Sequence, residues 1–163
     1  MTLVHTARNI AFCACVACAT SVGSAGQPLI DKTFTDAGRA PVADCGDFQV
    51  LDQYTISSTV ILFFDEAGNL SRFIEQNDGT DQFINAKTGK TLRALPFHNT
   101  VLVDRVAHEG TTTGIILRVV VPGAGAVLLD VGRIVTRRGE ITFQAGPHQF
   151  FDGDLGALCA ALQ

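Results

Sequence analysis

Residues 48–97 read FQVLDQYTISSTVILFFDEAGNLSRFIEQNDGTDQFINAKTGKTLRALPF, and this stretch decides the fold. Runs rich in Val, Ile, Thr, Phe and Tyr (48–55, 59–65, 70–76, 81–86 and 91–97) alternate with glycine-bearing turns. The turns are Glu66-Ala67-Gly68-Asn69, Asn77-Asp78-Gly79-Thr80 and Lys87-Thr88-Gly89-Lys90. Glycine reaches the positive φ that tight hairpins demand, and here it recurs about every ten residues. The pattern continues through runs 100–106, 114–121, 126–136 and 140–145, punctuated by His108-Glu109-Gly110-Thr111 and Arg137-Arg138-Gly139-Glu140. Short strands at this spacing predict a mainly β domain: an antiparallel β-barrel or strongly curved meander sheet of about eight to nine strands.

The strands differ in patterning. Residues 141–145 (ITFQA) alternate, which predicts one dry and one wet face. Residues 60–64 and 115–121 are almost continuously apolar, which predicts cover on both faces. A short C-terminal helix follows. Leu155, Leu158, Cys159 and Leu162 take the i, i+3, i+4, i+7 spacing of one apolar face, and Asp152 or Asp154 is placed to cap it.

Outward from this core, residues 1–25 have the anatomy of a secretory signal peptide. A weakly basic start leads into an apolar run of about ten residues, then small residues ending at Ala25. Val16-Ala17-Cys18 fits a lipidation site only in part, because Cys15 stands where a Leu-like residue is expected. The run is too short for a membrane span, which takes about 20 residues. Residues 26–43 mix Gly, Pro, Asp and Lys without a period and read as a linker or loose arm. Residues 44–163 are expected to form a single β-barrel domain.

The leader holds Cys13, Cys15 and Cys18, leaving Cys45 and Cys159. Two cysteines left over in an oxidising compartment usually pair, and Cys159 falls on the apolar helix face. The loop so closed exceeds a hundred residues, for which chain entropy gives about 4 to 5 kcal/mol. The expected location is secreted, periplasmic or cell-envelope.

After Ala25, eleven basic side chains stand against sixteen acidic ones, a net charge of −5. Arg137-Arg138 is the one basic pair. Nucleic acid and anionic membrane surfaces both need a concentrated positive face, so neither is expected as a partner. Beyond the leader, no run is long enough to span a bilayer as a helix.

Motifs for chemistry are sparse. His98, His108 and His148 form no metal-binding spacing, so no metal or other cofactor is expected. Ser57, Ser58 and Ser71 lie in no nucleophile motif. Pro122-Gly123-Ala124-Gly125-Ala126 reads as a turn between strands rather than a phosphate loop, which needs a helix after it. Arg118 and Asp130 each interrupt an apolar strand. A five-residue loop over 122–126 places them opposite each other as an interior charge pair; a four-residue loop pairs Arg118 with Leu129 instead. His98 and His148, at strand-to-loop junctions, complete with Tyr54 the candidate ligand-binding set of Arg118, Asp130, His98, His148 and Tyr54. Arg133 is a further candidate beside that pair.

The segments Cys45-Gly46-Asp47-Phe48, Phe97-His98-Asn99-Thr100 and 122–162 resemble a family of small exported, largely uncharacterised proteins of actinobacteria and related bacteria. That resemblance implies export, a compact β fold and a C-terminal helix, and no activity. At the level of fold the chain is similar to lipocalins, though it has no tryptophan for their Gly-x-Trp signature. It is similar also to allene-oxide-cyclase-like and dirigent-like barrels, with no catalytic motif to carry over. The leading functional expectation is an exported protein binding a small apolar ligand within a barrel. A lumen-based cyclase or isomerase and a cell-envelope interaction protein with a solid core are the alternatives.

Overall fold

The computed structural model describes residues 29–163. The expected leader, and with it Cys13, Cys15 and Cys18, lies outside the described residues. Eight strands form one antiparallel sheet: β1 (Leu29–Asp44), β2 (Gln49–Phe64), β3 (Leu70–Asn85), β4 (Thr91–Arg93), β5 (Phe97–Asp104), β6 (Glu109–Val121), β7 (Gly125–Arg137) and β8 (Glu140–Ala145). Two short helices follow, α1 (Gln149–Asp152) and α2 (Gly156–Leu162). The strand order is β1-β2-β3-β5-β6-β7-β8, with β4 continuing the sheet beside one end of β3. The sheet is a meander with two free edges. Of the two forms expected, it takes the curved sheet and not the closed barrel.

Three sequence readings are corrected. Residues 29–44 are a full strand pairing along β2, not a linker. Their Gly and Pro content hides this because β1 is an edge strand, where Pro is tolerated, and its ladder is shifted at Asp31/Phe34 and Pro41/Ala43. Second, Asn77-Asp78-Gly79-Thr80 is no turn; it runs straight through β3. Gly79 is there for space: a Cβ would collide with the Phe97 ring and the Thr55 carbonyl. Likewise residues 56–58 carry β2 on without a break, so runs expected as separate strands merge into 16-residue ones. Third, no aspartate caps α2. Its N-cap is Leu155, with no side-chain capping bond, and Asp152 ends α1 instead.

Most of the buried residues lie on one face of the sheet and toward one end of the long strands; Ile134 is buried farther along β7. Val50, Phe83, Leu117, Val119 and Leu128 pack with Leu158 and Leu162 of α2, all at most 9% exposed. Asn85, also buried, joins three elements here. Its Nδ2 donates to the Leu162 carbonyl at 3.0 Å, and its Oδ1 accepts the amides of Lys87 and Thr88. The Cys45–Cys159 disulfide, with Cα atoms 5.6 Å apart, ties the entry of β2 to α2. Gly132 lets β7 pass close to the end of β8. It has φ +132°, and a Cβ there would strike the Ala145 carbonyl. That approach delivers the chain to His148 and α1.

Candidate functional site

The hairpin between β6 and β7 turns in three residues, pairing Val121 with Gly125, and bulges shift the register. Arg118 faces Leu129 and Asp130 faces Leu117. Because paired residues share a face and neighbours alternate, Arg118 and Asp130 sit on opposite faces of the sheet. The expected Arg118–Asp130 pair does not form. Leu117 and Val119 are buried on the core face, so Arg118 points to the outer face, its Nε enclosed and without a hydrogen-bond partner.

Asp130 finds another candidate instead. His148 forms an isolated bridge with it, and His148 Nδ1 lies 3.5 Å from Asp130 Oδ1, both side chains at most 1% exposed. Asp130 Oδ2 accepts the Phe150 amide at 2.8 Å. His148 Nε2 lies 3.3 Å from the Ala145 carbonyl, which only accepts, so Nε2 carries a proton. Nδ1 and Oδ1 then face each other with no other partner, an arrangement that is attractive only with one proton between them. Burial raises the Asp130 pKa above its ordinary value, opposed by the Phe150 amide and by His148. The pair is a buried clamp holding α1 on β7, enclosed from solvent.

The other candidates stand apart. His98 Nδ1 pairs with Asp78 Oδ1 at 2.8 Å on the exposed outer face, a kind of contact worth roughly 0 to 1 kcal/mol. The Tyr54 hydroxyl donates to Asp36 Oδ2 at 3.3 Å, and its ring covers Gly38 on β1. Arg133 lies over the outer face of Phe143, 6.0 Å from the ring centre. Of the five predicted ligand-binding residues, Asp130 and His148 are brought together.

Sequence reasoning missed two features. The first is a polar row across the core face. Ser58 donates to Asn77 Oδ1, and Asn77 Nδ2 donates to Asn99 Oδ1 at 3.3 Å; Ser58 and Asn99 are buried. The second is what lies beyond that row, a part of the sheet here called the wing: residues 59–64, 70–76, 100–104, 109–113, 133–137 and 140–145. Among these described residues Ile134 alone is buried. Yet apolar rows cross both faces. On the outer face Ile61, Ile74, Leu102, Thr111, Val135 and Phe143 lie side by side on successive strands. On the core face Leu62, Phe73 and Val103 do the same. Leu102 is 38% exposed and Phe143 50%. The signal was present as the doubly apolar run 60–64; what misled was the expectation that this chain covers it.

Two depressions in the surface each hold about 320 Å3 and open to solvent. One lies at the tip of the wing among Phe63, Phe64, Arg72, Asp104 and Val106; the other lies between Thr55, Asp78, Thr80 and Pro96. None of the five predicted ligand-binding residues lines either. No helix among the described residues is long and apolar enough to cross a membrane. Comparison with family models, with curated proteins and with solved structures finds no match.

Proposed function

We propose that this chain is an exported interaction protein: a solid, disulfide-tied core end carries the wing, and the wing docks on a partner. One observation carries the reading. Of all the wing's described apolar side chains only Ile134 is buried, although they form continuous rows on both faces. Apolar patches of this extent on a folded domain mark contact sites. The disulfide fits an oxidising compartment and supports export. Binding of a small apolar ligand, or lumen chemistry, is less well supported. The sheet has free edges, the depressions open to solvent, and the buried Asp130–His148 pair is enclosed.

The test is photo-cross-linking in the native host, with a benzophenone side chain at position 102 and a control at position 120, which is on the outer face but beside the core end. The expected result is adducts from 102 and none from 120. A clean chain at both positions overturns the interaction reading.

A further inference from the structure

We infer that the outer face of the wing is covered by a second copy of this chain, outer face against outer face about a two-fold axis. The inference rests on the interaction reading and names its partner.

A two-fold contact joins a patch to itself, so the patch must be apolar at its centre and polar at its rim. The outer face has this layout. Its central row is Ile61, Ile74, Leu102, Thr111, Val135 and Phe143. Toward the core end lies a polar row of Thr59, Gln76, Thr100, Thr113 and Arg133. Toward the tip lies a charged row of Arg72, Asp104, Glu109, Arg137 and Glu140. Across the two flanking rows, Arg72, Arg133 and Arg137 balance Asp104, Glu109 and Glu140. Past Ala25 the chain carries −5, so two exported copies repel in general but not through this patch.

Size agrees. Six strands at about 4.8 Å spacing, by about six residues at about 3.3 Å, give roughly 600 Å2 in projection. Standing side chains add to that, and a standard interface takes about 800 Å2 per partner. The core face of the wing is a poorer choice, because half-buried Glu75 sits between Val60 and Val101 in its middle. The β1 edge is a poorer choice too. Pro41 and two register shifts interrupt it, and such devices discourage strand addition. Two sheets stacked face to face, about 10 Å apart, would cover the outer face.

The experiment is light scattering and native mass spectrometry on the purified, disulfide-intact exported chain. Wild type is expected to have twice the chain mass at about 100 μM, a range in which weak homodimers assemble. The double variant Leu102→Glu, Phe143→Glu is expected at single-chain mass, with unchanged circular dichroism and an intact disulfide. Val120→Glu is expected to stay paired. If the double variant does not fold, photo-cross-linking of the purified chain from position 102 replaces it, and an adduct of twice the chain mass mapping to the outer face is expected. A single-chain wild type overturns the inference, as does a dimer the double variant leaves intact or one cross-linked elsewhere. A purified chain that stays single while position 102 captures another protein in the host removes the second copy and leaves the interaction reading standing. No adduct in either setting removes both.

Discussion

Asp130 shows how one residue was legible and its partner was not. A charge interrupting residues 127–131 announces itself in the sequence, and the demand that it be paired is elementary electrostatics. Its partner depended on where the hairpin bulges, and the bulges replaced Arg118 with His148, some eighteen positions down the chain. A folded-state pKa above the unfolded value of 3.8 means the folded chain holds a proton there longer than the unfolded chain does. Such a group leaves stability intact below pH 3.8 and subtracts from it as pH rises from there through the folded pKa. Asp130→Asn keeps an acceptor for the Phe150 amide and offers an N–H to His148 Nδ1. Urea titrations of this variant are expected to match wild type near pH 3 and exceed it near pH 7, with the gap opening in between. A gap that shrinks as pH rises contradicts the proton-sharing arrangement. Asp130→Ala leaves the Phe150 amide and His148 Nδ1 unpartnered, and is expected to cost about 2 to 4 kcal/mol at either pH.

At the scale of elements, the turns with a single role were readable. Glu66-Ala67-Gly68-Asn69 is the hairpin expected, with Asp65 accepting the Ala67 and Asn69 amides. Those bonds hold the Asp65 carboxyl below its ordinary pKa. The Pro122 loop is a strand connection, as its flanks required. Asn77-Asp78-Gly79-Thr80 has an equally turn-like composition and failed as a turn, because three of its residues have a long-range use. Asn77 bonds Ser58 and Asn99, Asp78 holds His98, and Gly79 makes room for Phe97. Local composition cannot separate a residue that bends the chain from one that lets another strand approach. Gly79→Ala tests the close approach. In β3 its methyl displaces the Phe97 ring, and a loss of about 1 to 3 kcal/mol in chemical denaturation is expected. A loss under 0.5 kcal/mol would mean the ring moves aside freely.

For the whole molecule, the sheet class, the terminal helix and the staple were legible because each leaves a periodic or countable trace. Openness was not. Residues 60–64 demand cover on two sides, and a single sequence cannot say whether the cover is its own chain or another. The staple sets a stability scale that is testable. Replacing both Cys45 and Cys159 by Ser is expected to lower unfolding free energy by about 2 to 5 kcal/mol. The loss should be felt first at α2, whose Leu158 and Leu162 are wholly buried against the sheet. Amide exchange resolves this: accelerated exchange in α2, with the wing strands unchanged at early times, is the expected pattern.

The Cys45–Cys159 bond joins positions 114 apart in the chain, and every strand from β2 to β8 falls between them. Topologically the described molecule is a ring with a tail, and the tail is β1. A single cut anywhere between Cys45 and Cys159 opens the ring but leaves the fragments covalently joined. A cut between Asp44 and Cys45 leaves β1 with no covalent tie, held by its ladder to β2, by side-chain bonds such as that of Tyr54 to Asp36, and by the packing of Val42 and Ala43 on the core. Among the described strands β1 is therefore the one that a single clip can disconnect, and its loss would bare the long edge of β2.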